Sequence, residues 1–542
     1  MGGICYAQAV DPLVLPEAFG IKISPNGNVV ISQTADGSSL LYDWQTNDVY
    51  FYEEVYPGLG NCFSDETGMF VGETVEGVAK VMVKGKMETP PSIQKYTLSS
   101  LSAITNDGTR ACGYVQSLEL TQKTGLMYQP VFYDISPDGT FSDPVFLPTP
   151  EKDFFGARPQ YCTATWISND GNTMIGVMMD DRGFYTVPIV YTCDNNGTWS
   201  YSLPTRSLFN PKGLELPPSV DSFDEAFPDL VFPEITNFMT PEHRAEFDAD
   251  WGTYQQTGDS DINPYDHLDL YMTQEEYDAY VESVTIWNNA VREYYKLYED
   301  YEKTVSSILE GSVFFAGNSM ALNSDGSKFV ISAASYNANG DESLGNMYII
   351  GTADGSLEPL KTSIRGVAPK QFLPDGTIVA ASGMANPMAG SIKPCQSYVM
   401  PAGASDFMPV EDFIATLNPG YAQWMQDNLY VLAPTGYDRF GNITYGEMML
   451  SGNVSFSDDF NVISGGVESW VNDDAYDYQY FTYIMTDAMA GIESIVDENK
   501  DGVYKVFNLN GMSVMTTTDK TELNNLGKGI YIINGKKVAI TK

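Results

Sequence analysis

Side chains suited to catalysis are scarce in this chain. Only two histidines occur, His243 and His267. A Ser-His-Asp triad needs an imidazole within hydrogen-bond reach of a hydroxyl, so any triad here must recruit one of these two. No Gly-x-Ser-x-Gly elbow presents a nucleophile. His243 follows Thr240-Pro241-Glu242 and reads as a helix-surface residue in a first turn. His267 sits in Pro264-Tyr-Asp-His-Leu-Asp269, where acidic neighbours suit a metal but a solvated loop is the simpler reading. Carboxylates remain. Glycoside hydrolysis needs two carboxyl groups at a set separation, and 71 acidic residues are too many for the sequence to single out a pair. Asp497-Glu-Asn-Lys-Asp-Gly502 starts like a calcium loop, but Asn508 stands where the bidentate glutamate belongs, so a linker turn is the better reading. There is no phosphate loop and no dinucleotide fingerprint. The sequence names no catalytic residue and implies no cofactor and no metal site.

Bulk properties narrow the classes. A chain of 542 residues can bury a large core and be organised into two or three domains. Its net charge of −42 repels phosphate backbones and anionic lipid, which argues against nucleic acid as a partner. No run reaches the roughly 18 apolar residues of a membrane span. The 35 tyrosines suit half-buried strands, and they also suit sugar- and protein-binding surfaces. Six cysteines (Cys5, Cys62, Cys112, Cys162, Cys193 and Cys395) include no Cys-x-x-Cys pair, so they read as buried apolar residues rather than as a zinc site or disulfide framework. Tyr6-Ala-Gln-Ala9 ends in the small-x-small pattern of a signal-peptide cleavage site, and residues 1–9 read as a signal-peptide remnant. A lipid anchor on Cys5 is the competing reading, and Ile4 fits it poorly.

The elements that must position any site come from one repeated pattern. Trp166-Ile-Ser-Asn-Asp-Gly-Asn-Thr-Met-Ile-Gly176 reads as strand, tight turn, strand, with a turn that tolerates positive φ. Related turns stand at Pro25-Asn-Gly27, Asp65-Glu-Thr-Gly68, Asn106-Asp-Gly108, Asn323-Ser-Asp-Gly326, Pro374-Asp-Gly376 and Ser457-Asp-Asp459, making seven copies. A second hairpin follows most of them, as in Val187–Tyr191 and Trp199–Tyr201 around Asp194-Asn-Asn-Gly197. Four strands per unit and a first spacing of about 40 residues predict β-propeller blades. The fold class is therefore mainly β, a propeller of about seven blades over residues 10–487. The segment before Phe19 is available to add a strand to the last blade. Glu411–Met425 reads as partly helical and Ile443–Met449 as a strand. The repeats resemble the Asp-Gly-turn repeats of extracellular repeat proteins, a likeness that implies no activity.

Residues 210–317 interrupt the repeats. They open with proline-rich coil, then offer a helix start at Thr240-Pro241 and a capping box at Thr273-Gln-Glu-Glu276. From Tyr277 to Ile308 apolar or aromatic residues recur at steps of three and four, which predicts a helix of about 35 residues, roughly 50 Å long at about 1.5 Å per residue. Its seam must lie against the helix after Thr240, the propeller face, or a second copy of the chain. The last choice makes residues 274–309 a self-association element.

The tail, residues 488–542, has a different pattern: short hairpins with turns at Asn510-Gly511 and Asn534-Gly535 and a large share of the lysines. Tyr504…Leu509-x-Gly511, Gly529-Ile-Tyr-Ile-Ile533 and Gly535-Lys-Lys-Val538 resemble the C-terminal sorting domain of type IX secretion in Bacteroidetes. The resemblance covers about 50 residues. It implies a small C-terminal β-sandwich, engagement with the secretion machinery, and a secreted or outer-surface location. It implies nothing about the activity of the main body. The reading is thus a secreted or cell-surface propeller that binds a glycan or protein ligand through its face or its helical arm. The competing reading is a carboxylate-based polysaccharide hydrolase or lyase. Two or three convergent acids with aromatic walls in the central funnel favour the enzyme, and a plain solvent-filled funnel favours binding.

Overall fold

The computed structural model describes residues 12–486, apart from 154–155, 157, 181–185, 259–262, 336–346, 353–354, 365, 386–390 and 471–477. It also describes most of the four tail strands between 503 and 540. The expected signal remnant, Cys5, the calcium-like loop 497–502 and the turns at 510–511 and 534–535 lie outside the described residues. The chain divides into two compact units: residues Leu214–Glu310, and the remainder.

The larger unit is mainly β. Its inner strands are short, largely apolar runs, as in Val29–Gln33, Met69–Thr74 and Ile378–Ala381, buried over most of their length and bounded by turn residues, which favours antiparallel hairpins. The strands join into small antiparallel sheets spanning 19–52, 55–88, 98–146, 159–202, 313–361, 368–409 and 453–485 in chain order. The first contains Phe19–Ile23, Val29–Gln33, Ser39–Asp43 and Asp48–Tyr52, each strand paired with the next. The seventh takes its fourth strand from the other end of the chain: Leu13–Pro16 pairs with Tyr478–Met485. This is the strand that the segment before Phe19 was expected to supply.

The repeated turns hold sheet to sheet. At Ser168–Thr173 the Asp170 carboxylate accepts from the Ser168 hydroxyl (2.5 Å) and the Asn172 N–H (3.0 Å), and only Gly171 takes positive φ, at 70°. The seventh turn has no glycine there. Phe460 takes φ 63° instead, and its ring packs 5.8 Å from both Phe413 and Phe456, so burial offsets the backbone cost. Between sheets, the Asn26 N–H reaches Asp65 (3.0 Å), the Ser64 hydroxyl the Asn106 carbonyl (2.8 Å), and Arg110 the Gly171 carbonyl (2.9 Å). The Asn169 N–H reaches the Ser324 carbonyl (2.7 Å), and the Asp458 N–H returns to the Pro25 carbonyl (2.8 Å). The sixth and seventh sheets exchange two bonds between Gln371 and Phe456. The fifth and sixth share a buried cluster that includes Val330, Phe372 and Ile378.

Between the last two sheets stand helices Val410–Leu417 and Pro419–Leu429 and the hairpin Tyr430–Tyr437/Ile443–Met449, consistent with the irregular pattern there. The tail forms one four-stranded sheet among the described residues, where the resemblance implies a two-layered sandwich. Its Val506, Leu523 and Leu526 belong to the same buried cluster as Phe413, Leu417 and Met425 of those helices.

The smaller unit is helical. Thr240 caps Pro241–Thr257, and the Thr273/Glu276 capping box starts the 36-residue helix Gln274–Leu309. The unit ends at Glu310, and the strand Val313–Leu322 begins inside the range expected for the insertion. The start of the helical seam, at Tyr280, packs against the cluster that holds Phe247 and Trp251 of the helix after Thr240, and the segment before that helix adds a further cover. Phe223 packs on Trp287 (4.8 Å) and Tyr294 (5.5 Å), Phe232 on Trp287 (5.5 Å), and Phe238 on Tyr280 (5.6 Å).

Candidate functional sites

One cavity of about 90 Å³ is shared among the sheets. Its lining includes Lys22 and Pro25 from the first sheet region, Gly60 and Asn61 from the second, Trp166 from the fourth, Ser324 from the fifth, Lys370 and Gln371 from the sixth and Asp458 from the seventh. Six sheets converge on this space. The segment Gly58-Leu59-Gly60 shows how closely. A Cβ on Gly58 would stand 2.4 Å from the Ser102 carbonyl oxygen, and one on Gly60 2.4 Å from that of Thr165. Only glycine lets the backbone pass there.

The two lysines are half-buried. Lys22 Nζ donates to the carbonyls of Gly58 (2.5 Å), Leu59 (2.6 Å) and Gly60 (2.6 Å). An ammonium has three N–H donors, and all three are spent. Burial pulls the Lys22 pKa down, and the nearby Cys62 opposes this. Lys370 Nζ donates to the Ile21 carbonyl (3.1 Å) and to Asn453 Oδ1. Two acceptors match the two N–H groups of a neutral amine. Burial lowers the Lys370 pKa to about 7, with Cys395 raising it and the charge on Lys22 lowering it further. These two lysines tie neighbouring sheets together.

Several carboxyl groups hold their protons unusually tightly. Glu468 is only 1% exposed and accepts from the N–H groups of Ala385 (2.9 Å) and Cys395 (3.0 Å), and burial raises its pKa to about 7. Burial raises Asp65 to about 6, and it also raises Glu73 and Glu411. Glu73 accepts from the Tyr114 hydroxyl at 3.4 Å, beside stacked Tyr114 and Tyr128 rings 4.5 Å apart. None of these four owes its shift to another of them. Among the described residues no His, Cys, Asp and Glu side chains assemble in threes as metal ligands would. Cys62, Cys112, Cys162 and Cys395 are buried free thiols, as their spacing suggests, and Cys193 is half-buried.

The helical unit holds a larger space. A cleft of about 530 Å³ is lined by Tyr265, Asp266, Leu268, Asp269, Met272, Thr273, Gln274 and Tyr277. The short helical turns Pro264–Asp266 and Leu268–Leu270 form one wall, and the start of the long helix forms the other. Tyr265 is braced edge-on by Phe247 (5.0 Å) and Trp251 (4.9 Å). Glu276 ties the base of the unit together: it accepts from the N–H groups of Thr273 (2.6 Å) and Thr240 (2.7 Å) and meets His243 Nδ1 at 3.0 Å. These bonds, led by the Thr273 N–H, hold its pKa down at about 2. His243 thus lies in the first turn as expected, but as a partner of Glu276. His267 is exposed between the two short turns and does not line the cleft. No local pattern marks the cleft in the sequence: Tyr265, Asp269 and Tyr277 fall on three separate local elements.

No protein-family model and no curated protein matches the chain. Solved structures do match at low similarity. An oligogalacturonate lyase in complex with manganese shares 8% identity at a TM-score of 0.39, covering 88% of this chain and 92% of its own. U3-55K shares 8% at 0.35, covering 87% and 98%. TolB from Acinetobacter baumannii shares 11% at 0.29, covering 74% and 63%. Likeness at this level assigns neither an activity nor a ligand.

Proposed function

We propose that the chain is a secreted or cell-surface binding protein for a glycan or protein ligand, built on a seven-bladed propeller whose last blade is closed by Leu13–Pro16. Support for the propeller comes from the cavity shared by six sheets and from the N-terminal strand in the seventh. One observation carries the choice of binding over catalysis. Among the described residues, burial raises Asp65, Glu73 and Glu468 with no contribution from a second carboxylate, and for Glu411 the one such neighbour is the adjacent Asp412. Acid–base cleavage of a glycan needs a proton-holding carboxyl and a second, ionised carboxylate acting on the same bond. The shared cavity offers two lysines already committed to neighbouring sheets.

The tail, residues 488–542, serves as an export signal of the type IX class, and the acidic body suits an exterior location. The test has two arms. Purified protein is incubated with neutral and acidic polysaccharides, and both retention on the polysaccharide and release of reducing or unsaturated ends are measured. Retention without cleavage is expected, and release of products overturns the binding reading. Deleting residues 488–542 in a host with type IX secretion is expected to trap the protein inside the outer membrane. Unchanged export rejects the role of the tail.

A further inference from the structure

The cleft in the helical unit has the makings of a sugar site. Its volume of about 530 Å³ lies within the roughly 300–1,000 Å³ typical of small-molecule sites. Aromatic rings stand on both walls: Tyr265 on the short turns, 47% exposed, and Tyr277 on the long helix, 40% exposed. An exposed tyrosine offers an apolar face to the C–H side of a sugar and a hydroxyl to its edge. The brace of Phe247 and Trp251 holds the Tyr265 ring in place before any ligand arrives, which lowers the entropic cost of binding.

The polar groups divide by whether they are already used. Thr273 is spent on the helix cap, Gln274 Nε2 on Asp278 (2.8 Å), and Asp266 accepts from Asn263 (2.9 Å). Among the described residues, the Asp269 carboxylate and the Tyr265 and Tyr277 hydroxyls make no hydrogen bond or ion pair. These groups can take sugar hydroxyls. The lining contains two carboxylates and no lysine or arginine, on a chain of net charge −42, so it repels sulfated, phosphorylated and uronic-acid sugars.

From this geometry we infer that the cleft between Tyr265, Asp269 and Tyr277 binds a short uncharged oligosaccharide. The inference rests on the binding-protein reading above and gives it a ligand class and a place. Asp269 accepts from hydroxyls on the edge of a sugar ring, and Tyr277 stacks on the ring face.

The test titrates the full chain with uncharged tri- to hexasaccharides of glucose and of mannose, and with an oligogalacturonate of equal length, by calorimetry. Binding of at least one uncharged series and none of the acidic one is expected. Tyr277→Ala and Asp269→Asn should each weaken it about tenfold or more, while Tyr277→Phe, which keeps the ring, should stay within about threefold. Circular dichroism of each variant checks that the helices persist. Absence of binding by every uncharged sugar overturns the inference and leaves the protein-ligand form of the binding reading standing. Binding untouched by both cleft variants but lost in Trp166→Ala also overturns it, and moves the ligand to the cavity among the sheets. Cleavage of the sugars without retention overturns the inference and the binding reading together.

Discussion

The cavity among the sheets and the cleft of the helical unit use polar side chains in opposite ways. In the cavity, Lys22 gives all three of its N–H groups to backbone carbonyls of the next sheet, and Lys370 bridges Ile21 and Asn453. In the cleft, Asp269 and two tyrosine hydroxyls make no such bonds among the described residues. Repeated sheets must satisfy their inward carbonyls where they converge, because an unpaired buried carbonyl costs free energy. Polar groups spent in this way hold the architecture and have little left for a ligand. A helical hairpin satisfies its backbone internally, and its surface side chains stay available.

The comparison can be broken by substitution, and the largest effect should come from Lys22. Lys22→Met leaves three carbonyls without their donor, and a loss of about 3 kcal/mol or more is expected in urea unfolding. A loss below about 1 kcal/mol would show that water replaces the ammonium, and the cavity would then be an open site.

Glu468 gives the next effect. Its folded pKa of about 7 lies above the ordinary 4.5, so between these values the folded chain keeps a proton that the unfolded chain has lost. Stability should therefore fall as pH rises from about 4.5 to about 7, by on the order of 2–3 kcal/mol. Glu468→Gln should flatten that slope, and unfolding curves at pH 5 and pH 8 measure it.

Lys370 works in the other direction. Its folded pKa of about 7 lies below the ordinary 10.5, so the unfolded chain holds the extra proton between these values. Its contribution makes stability rise with pH across that window. Lys370→Met should remove the rise and change stability near pH 9 by about 1 kcal/mol or less. An unchanged pH profile would mean that the amine stays charged.

The smallest stability effect is expected in the cleft. Asp269→Asn should stay within about 0.5 kcal/mol of the parent, because the residue is exposed and supports nothing else. A larger loss would place Asp269 among the structural groups and remove the contrast between the two regions.

Local chemistry made much of the fold legible in the sequence. Asp-Gly turns announce hairpins because the carboxylate caps the turn N–H groups and glycine takes the positive φ, as at Asp170 and Gly171. The long helix was legible from Thr273-Gln-Glu-Glu276 and its three-four spacing, because capping and amphipathicity are local properties. Boundaries were less clear. Val313–Phe315 reads as part of the insertion but begins a strand of the fifth sheet, because its partner strand lies beyond it in sequence. The Phe460 turn has no glycine, and only its packing against Phe413 and Phe456 shows why it is tolerated.

By itself the sequence determined the repeat, the helix, the acidity and the strand before Phe19. These follow from residue type and short-range spacing. The tertiary structure alone decided that Lys22 meets the carbonyls of 58–60 and that Glu468 is held by Ala385 and Cys395. It also decided that Phe223 covers Trp287, and that Tyr265, Asp269 and Tyr277 share one cleft. Each of these pairings joins residues that no turn or helical period relates. Their meeting depends on how whole elements pack, and a single sequence carries no local sign of it.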